Sequence, residues 1–309
     1  MKTILTLVSM RIRITLRNKA FLFFSLVMPM AFFFLYGSVF AKGNPLVVRY
    51  LLGPVVAMSV MGTFWGLSAQ IVTWREQGIL RRFRLSPVSA FSMICSSILA
   101  NMVLILPTVI LELGLARAIY RVTDFGNLFS VLVLALAGIG SFASLGLIVA
   151  SVTNTMQETQ IINQLLWFAL IFVSGATVPL PDLPKVAQHV ALFLPATYLV
   201  SGLQRAMVDR ASVFALWAEL GCLVVWASLA IFISSQLFRW EPEAKLPRNA
   251  KLWAASTILP FVLLGIWENH NGKLLARSTS MMEERPADKT APDNSVPNTA
   301  PSSAAPAKQ

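Results

Sequence analysis

Charge is what this 309-residue sequence has least of. Charged residues make up 13% of it, about half the share usual in soluble domains. Hydrophobic residues make up 56%, so an ordinary water-soluble globule is excluded. Cysteine is scarce too: Cys95 and Cys222 are the two present. Both fall in apolar blocks, where a small buried hydrophobe is expected rather than a disulfide or a metal ligand. The two histidines, His189 and His270, stand alone, without metal-ligand spacing around them. No Ser/His/Asp arrangement can be argued. No Gly-x-x-x-x-Gly-Lys-Ser/Thr loop exists to cradle nucleotide phosphates. These absences predict a chain that is not an enzyme, has no catalytic residues and holds no metal or cofactor of its own.

What the sequence has instead is long apolar runs. Nothing charged lies between Lys19 and Lys42, Tyr50 and Trp74, Leu85 and Leu111, Phe125 and Gln157, Thr159 and Leu180, or Leu220 and Phe238. Each run reaches the roughly 18 residues that mark a spanning helix. A seventh segment, Leu252–Trp267, is shorter: at about 1.5 Å per residue it covers roughly 24 Å of a roughly 30 Å hydrocarbon core. The expected fold is an all-α polytopic membrane protein with six transmembrane helices within 21–240, and 252–267 as a further candidate span. Trp74, Trp240, Trp253 and Trp267 fall near span ends, where the headgroup level favours an amphipathic ring.

Residues 1–20 form a different kind of helix. Ile4, Leu5, Val8, Ile12 and Leu16 share one side of a helical wheel, with Thr6, Ser9, Arg13 and Arg17 opposite. This reads as an amphipathic interfacial helix; a signal peptide is the rival reading, with Val39 and Ala41 resembling a cleavage site. The tail, 278–309, is Pro, Ala, Ser, Asn and Asp with little aliphatic bulk, and is expected to be disordered.

The formal net charge of +11 follows from topology rather than from nucleic-acid binding. Lys2, Arg11, Arg13, Arg17 and Lys19 precede the first run. Arg75, Arg81, Arg82 and Arg84 follow the second, and Arg239, Lys245, Arg248 and Lys251 follow the sixth. The positive-inside rule places these in the cytoplasm, so both ends of a six-span unit lie inside; a seventh span carries the tail out.

Two polar interruptions carry more information than the hydrophobicity. Trp74–Pro87 read as a helix has Ile79, Leu80 and Phe83 on an apolar side, with Glu76 and the arginines toward water or a partner, and Pro87 limiting its end. It has the shape of a docking element, although a loop that is basic only to fix topology has the same composition. The second runs from Ser174 through Gly175, Pro179 and Pro184 to Pro195 and Tyr198. Its prolines limit regular helix, yet Val186, Val190, Leu192, Phe193 and Leu199 are too apolar for an aqueous loop. A re-entrant pair of short helices on the outer side, between the fifth and sixth spans, fits this pattern; a hydrophobic loop packed on its neighbours is the alternative.

Two acidic residues lie near the runs, and depth decides their role. Counting from Ala90 makes Glu112 interfacial, with Arg117 and Arg121 as partners. Counting from Phe238 puts Glu219 at the outer edge of the sixth span. Both are expected to be polar anchors.

The amphipathic N-terminus, the Pro29-containing first run ending near Gly37, Arg-Glu-x-Gly to Leu-Ser-Pro at 75–87, and Ser-Gly…Pro…Leu-Pro at 174–184 followed by Leu-Pro-Ala-Thr-Tyr at 194–198 occur in one order. Together they resemble the ABC-2 permease family, exporters of drugs, polysaccharides and lipid-linked substrates, from about residue 5 to 240. The resemblance implies a six-helix permease subunit in the bacterial inner (plasma) membrane, multi-pass, N-terminus cytoplasmic. It implies a second permease copy or related chain, and a separate ABC ATPase subunit dimer that binds the ATP. The substrate class is an amphipathic drug, lipid or glycan. Arg75, Glu76, Gly78, Arg81, Arg82, Arg84 and Pro87 then belong to the coupling helix, with Ser151–Glu158 as a smaller contact. The seventh segment and the tail depart from the family pattern. A non-transporting scaffold with the same fold, or an integral-membrane lipid enzyme, is the alternative.

Overall fold

The structure, a computed structural model, describes residues 2–17, 19–40, 44–85, 89–237, 259–271, 274 and 276. Every regular element among them is helical: α1 (Lys2–Arg17), α2 (Lys19–Leu35), α3 (Pro45–Met61), α4 (Thr63–Glu76), α5 (Ile79–Arg84), α6 (Ala90–Tyr120), α7 (Leu128–Val152), α8 (Met156–Val173), α9 (Lys185–Ala191), α10 (Pro195–Val208), α11 (Trp217–Leu237) and α12 (Leu259–Asn271). Short polar side chains start the long helices. Ser89, Asn127 and Thr155 accept the backbone N–H of Ser92, Ser130 and Glu158, satisfying donors that a helix start leaves free.

Four helical stretches are long and apolar enough to cross a membrane: Val47–Glu76, Phe91–Tyr120, Leu128–Val152 and Val213–Leu237. They correspond to the second, third, fourth and sixth expected spans. The first of them joins α3 to α4, because the helical hydrogen bonds run on through Gly62. α9 and α10 form a fifth candidate, bent by 91° at Leu192–Leu194. The first and fifth expected spans are helical but differ from the long four. α2 gives way at Tyr36 to a π-helical turn through Phe40. There the missing side chain of Gly37 makes room for the ring of Tyr120, which also packs edge-on against Phe33. α8 begins with the polar run Gln157–Gln160 and ends at Val173, well before Leu180. α12 starts at Leu259, whereas the expected segment starts at 252; residues 252–258 lie outside the described residues, as do Trp240, Trp253 and the tail 278–309.

α7 is the centre of the bundle, packed against α3, α4, α6, α10 and α11. Its sequence explains this, since it carries no charge and is rich in Gly, Ala and Ser. Lipid is as apolar as leucine, so helices associate through close packing, and small residues permit it. A Cβ at Gly146 would overlap the carbonyl oxygen of Phe64, so α4 and α7 meet backbone to backbone there. Ser141 donates its hydroxyl to the Leu223 carbonyl at 2.7 Å, adding a polar tie to α11.

α1 docks through a narrower face than its wheel suggests. The buried stripe is Leu7, Arg11 and Thr15, against α6, while Leu5 and Leu16 of the expected apolar face point outward at 64% and 53% exposure. One side of the helix thus contacts protein, and an adjacent apolar strip is left exposed.

Candidate functional site

At the end of α4 the chain meets three other helix ends. Arg75 is 1% exposed. Its guanidinium donates to the carbonyl of Ala150 at 2.7 Å and to that of Thr153 at 3.0 Å. These carbonyls lie at the C-terminal end of α7, where a helix leaves acceptors unsatisfied and presents its negative dipole end. Glu76 is exposed and accepts the backbone N–H of Met156 at 2.8 Å, at the positive N-terminus of α8. Two adjacent residues of opposite charge therefore hold two adjacent helix ends of opposite polarity. The expectation that all the arginines of this segment face water or a partner is corrected for Arg75. Its planar fork of donors matches the two carbonyls at the end of α7.

The turn into α5 requires Gly78. Its φ is 68°, and no atom crowds the position a Cβ would take, so backbone conformation alone demands glycine. α5 then presents the face its sequence predicts: Leu80 is fully buried, Ile79 and Phe83 are half-buried, and Arg81 and Arg82 are exposed. The side chain of Arg84, and Pro87, lie outside the described residues.

Trp74 lies two residues from the end of the helical stretch Val47–Glu76, as expected, and its ring is buried against protein. The Arg11 guanidinium carbon lies 5.0 Å from the centre of its ring, and Phe83 packs on it at 6.4 Å. Arg11 also donates to the Ser97 hydroxyl on α6. Burial pushes Arg11 down from its ordinary value to about 9, so it remains a cation at neutral pH. α1, α4, α5 and α6 are thereby tied at one aromatic ring, a contact between residues 63 positions apart that no local signal shows.

The second candidate region lies farther along the bundle. Ser174 and Gly175 are buried, and Gly175 has a φ of 87°. Pro179 and Pro184 precede the turn Leu180–Asp182 and α9, and Pro195 is the first residue of α10, where its missing N–H is harmless. The Tyr198 hydroxyl donates to the Leu192 carbonyl at 3.0 Å and fixes the bend. α10 is almost wholly buried among α3, α7 and α11. Leu180, Leu192 and Tyr198 belong to one apolar cluster with Ile148 of α7, two residues before the Ala150 carbonyl that Arg75 holds.

The far end of α10 is pinned by groups that the sequence shows only as loop charges. Arg49 donates to the carbonyls of Met207, at 2.7 Å, and Val208, at 3.1 Å, and pairs with Asp124 at 2.9 Å. Arg210 pairs with the same carboxylate at 2.6 Å. The hydrogen bond from Arg210, then that from the Gly126 N–H, holds the Asp124 carboxyl below its usual range. One of the two expected acidic anchors differs from its reading. Glu219 sits in the first turn of α11, as expected, and is paired with Arg205 of α10. Glu112 is fully buried and accepts the hydroxyl of Ser59 on α3, while Arg117 and Arg121 are exposed. The expected interfacial pairing fails because α6 runs on to Tyr120, leaving Glu112 well inside the helix.

Cys222 is buried and Cys95 half-buried, both as free thiols. Among the described residues no group of three or more His, Cys, Asp or Glu side chains could hold a metal ion. His189 is exposed, its Nδ1 2.6 Å from the Lys185 carbonyl of its own helix.

Comparison with known proteins agrees with this architecture. Residues 40–235 match the family described as ABC-2 family transporter protein. The chain is 30% identical over 112 residues to nodulation protein J of Rhizobium leguminosarum bv. trifolii, covering 36% of this chain and 42% of that protein. It is 25% identical over 231 residues to the putative transport permease YvfS of Bacillus subtilis (strain 168), covering 72% of this chain and 92% of that protein. It is also 25% identical over 170 residues to the linearmycin resistance permease protein LnrN of the same organism, covering 55% and 44%. The chain thus spans less than half the length of the nodulation relatives it matches. With apolar helices of spanning length around a small-residue core and a family match over most of the bundle, this chain belongs to the ABC-2 transporter family.

Proposed function

We propose that the chain is the permease subunit of an ATP-driven exporter, with α5 as the coupling helix that docks on a separate ABC ATPase dimer. It works with a second permease copy or related chain in a bacterial inner membrane, the Arg75 end and the N-terminus in the cytoplasm. Six spans are α2, α3 with α4, α6, α7, α8 and α11, and the bent pair α9–α10 is the outer re-entrant element. The cargo is an amphipathic drug, lipid or glycan, and the chain itself binds no ATP and performs no chemistry.

The observation that carries this reading is the pair Arg75 and Glu76. A push on α5 passes through the short Gln77–Gly78 turn to Arg75, which is bonded to α7, and to Glu76, which is bonded to α8. α7 in turn shares the apolar cluster that seats the bend before α10. Closure of the ATPase dimer then displaces α5, and α7 and α8 shift as packed rods, altering the α9–α10 corner where cargo passes. Packed helices switch between discrete arrangements and do not deform continuously, which makes such a lever effective.

The test is a reconstituted complex of the chain with its ATPase in vesicles. Charge reversal of Arg81 and Arg82, which are exposed, is expected to lower transport-coupled ATP hydrolysis at least tenfold while insertion and thermal stability stay unchanged. Glu76→Ala is expected to reduce coupling less. Full coupling in the double charge reversal sinks the assignment of α5.

A further inference from the structure

Glu112 is a buried acid that this lever does not use. It lies on α6, eight residues before Tyr120, with no part exposed. Its Oε1 accepts the Ser59 hydroxyl from α3, and its Oε2 has no hydrogen-bond partner.

Among the described residues, the elements packed on α6 bring no cation to it. α7 has no charged residue. On α3, Arg49 is committed to Asp124 and the Met207 carbonyl, and Tyr50 lies nine residues before Ser59. The charged residues of α4, Arg75 and Glu76, are at its far end, bound to α7 and α8. On α11, Glu219 is paired with Arg205, and Cys222 is a buried free cysteine. Arg11 of α1 meets α6 at Ser97, toward the other end, with Arg13 and Arg17 exposed. Lys19 begins α2 and is exposed; Tyr36, in the turn after α2, donates to the Ala176 carbonyl. On α6 itself, Cys95 lies near its start, Arg117 is exposed, and Tyr120 packs on Phe33.

A carboxylate with one hydroxyl donor and no cation keeps little of what water gave it, and a membrane bundle offers no substitute. We propose that Glu112 is a proton-binding site: the acid is neutral in the packed bundle, its proton on Oε2 and the Ser59 hydroxyl on Oε1, and it exchanges that proton only when α3 and α6 part. Separation of the two helices admits water and lets the acid ionise; their return requires a proton from solution. Alkaline pH therefore disfavours the packed arrangement. This site stands apart from α5 and is independent of the coupling assignment.

Infrared difference spectroscopy of the full chain in lipid vesicles, wild type against Glu112→Gln, tests this directly. The expected result at pH 7 is a carboxylic-acid C=O band present in the wild type and absent from the variant. Carboxylate stretching bands in its place overturn the proposal. Thermal unfolding provides the second readout, because the amide copies the neutral acid in size and charge. E112Q is expected to match the wild-type midpoint in acid, where the unfolded chain is protonated too, and to exceed it increasingly as pH rises above the ordinary carboxylate range, because only the wild type must take up a proton to fold. A variant that unfolds well below the wild type at pH 7, or is not recovered folded, shows that the charged form is the native one and overturns the proposal as well.

Discussion

Arg75 reaches the Thr153 carbonyl at 3.0 Å, across 78 positions of sequence, and so closes the C-terminal end of α7 with the last turn of α4. The same guanidinium holds Ala150. No other arginine of the 75–84 segment is described as buried. The segment therefore has an anchor inside the bundle and exposed charges outside it, which is what a lever needs.

Replacing Arg75 by alanine leaves both carbonyls without this donor in a buried setting, at about 1–3 kcal/mol for each unsatisfied group. Arg75→Ala is expected to destabilise the chain by roughly 2–5 kcal/mol. Arg75→Lys should recover only part of the loss, because a single ammonium lacks the planar fork. Thermal unfolding of the purified chain in detergent measures both; equal midpoints for the lysine variant and the wild type would show that the fork geometry is irrelevant.

Gly126 has a φ of 69°, and a Cβ there would overlap the carbonyl oxygens of Ala206 and Met207 at the end of α10. Gly126→Ala combines left-handed strain of about 1–2 kcal/mol with that overlap. A loss of about 2 kcal/mol or more is expected. Hydrogen exchange should locate the increased opening in α10 and the 121–127 loop rather than in α4 or α5.

Arg205 and Glu219 form a pair with side chains 11% and 4% exposed. Breaking a buried pair from one side leaves an uncompensated charge, typically about 3–5 kcal/mol. Arg205→Met is expected to fall in that range, while the double change Arg205→Met with Glu219→Leu should be milder than the single one. A double-mutant cycle on unfolding midpoints decides this, and strict additivity would mean that the two residues do not interact.

Asp124 gives the loop between α6 and α7 a pH dependence of defined sign. Its carboxyl is held below the usual range first by the Arg210 hydrogen bond, so the folded state binds its proton less readily than the unfolded chain. The stabilisation is present above the ordinary carboxylate value and is lost as pH falls through the depressed folded value. Asp124→Asn is expected to lower the unfolding midpoint modestly near neutrality, with wild type and variant converging in acid. A gap that stays constant down to the lowest pH would remove Asp124 from the account.

The sequence by itself determined the class. Uninterrupted apolar runs with arginines at their ends require helices in a membrane, because no other backbone arrangement built from them satisfies its own hydrogen bonds there. It also marked both polar interruptions, since Gly78 and the prolines at 179, 184 and 195 impose local backbone limits that act wherever they occur. The helix pair around the bend and the two-faced α5 were legible for that reason. Tertiary structure decided which charges point inward. Arg75 and Arg82 are chemically the same in a sequence, yet one is buried against two carbonyls at the end of α7 and the other is exposed. Glu112 and its Ser59 donor, Glu219 and Arg205, and Trp74 between Arg11 and Phe83 are likewise long-range matches. Periodicity reports only which face of a helix is apolar; the partner that a polar side chain meets depends on how separate helices register against one another, and that is fixed by packing around the small residues of α7.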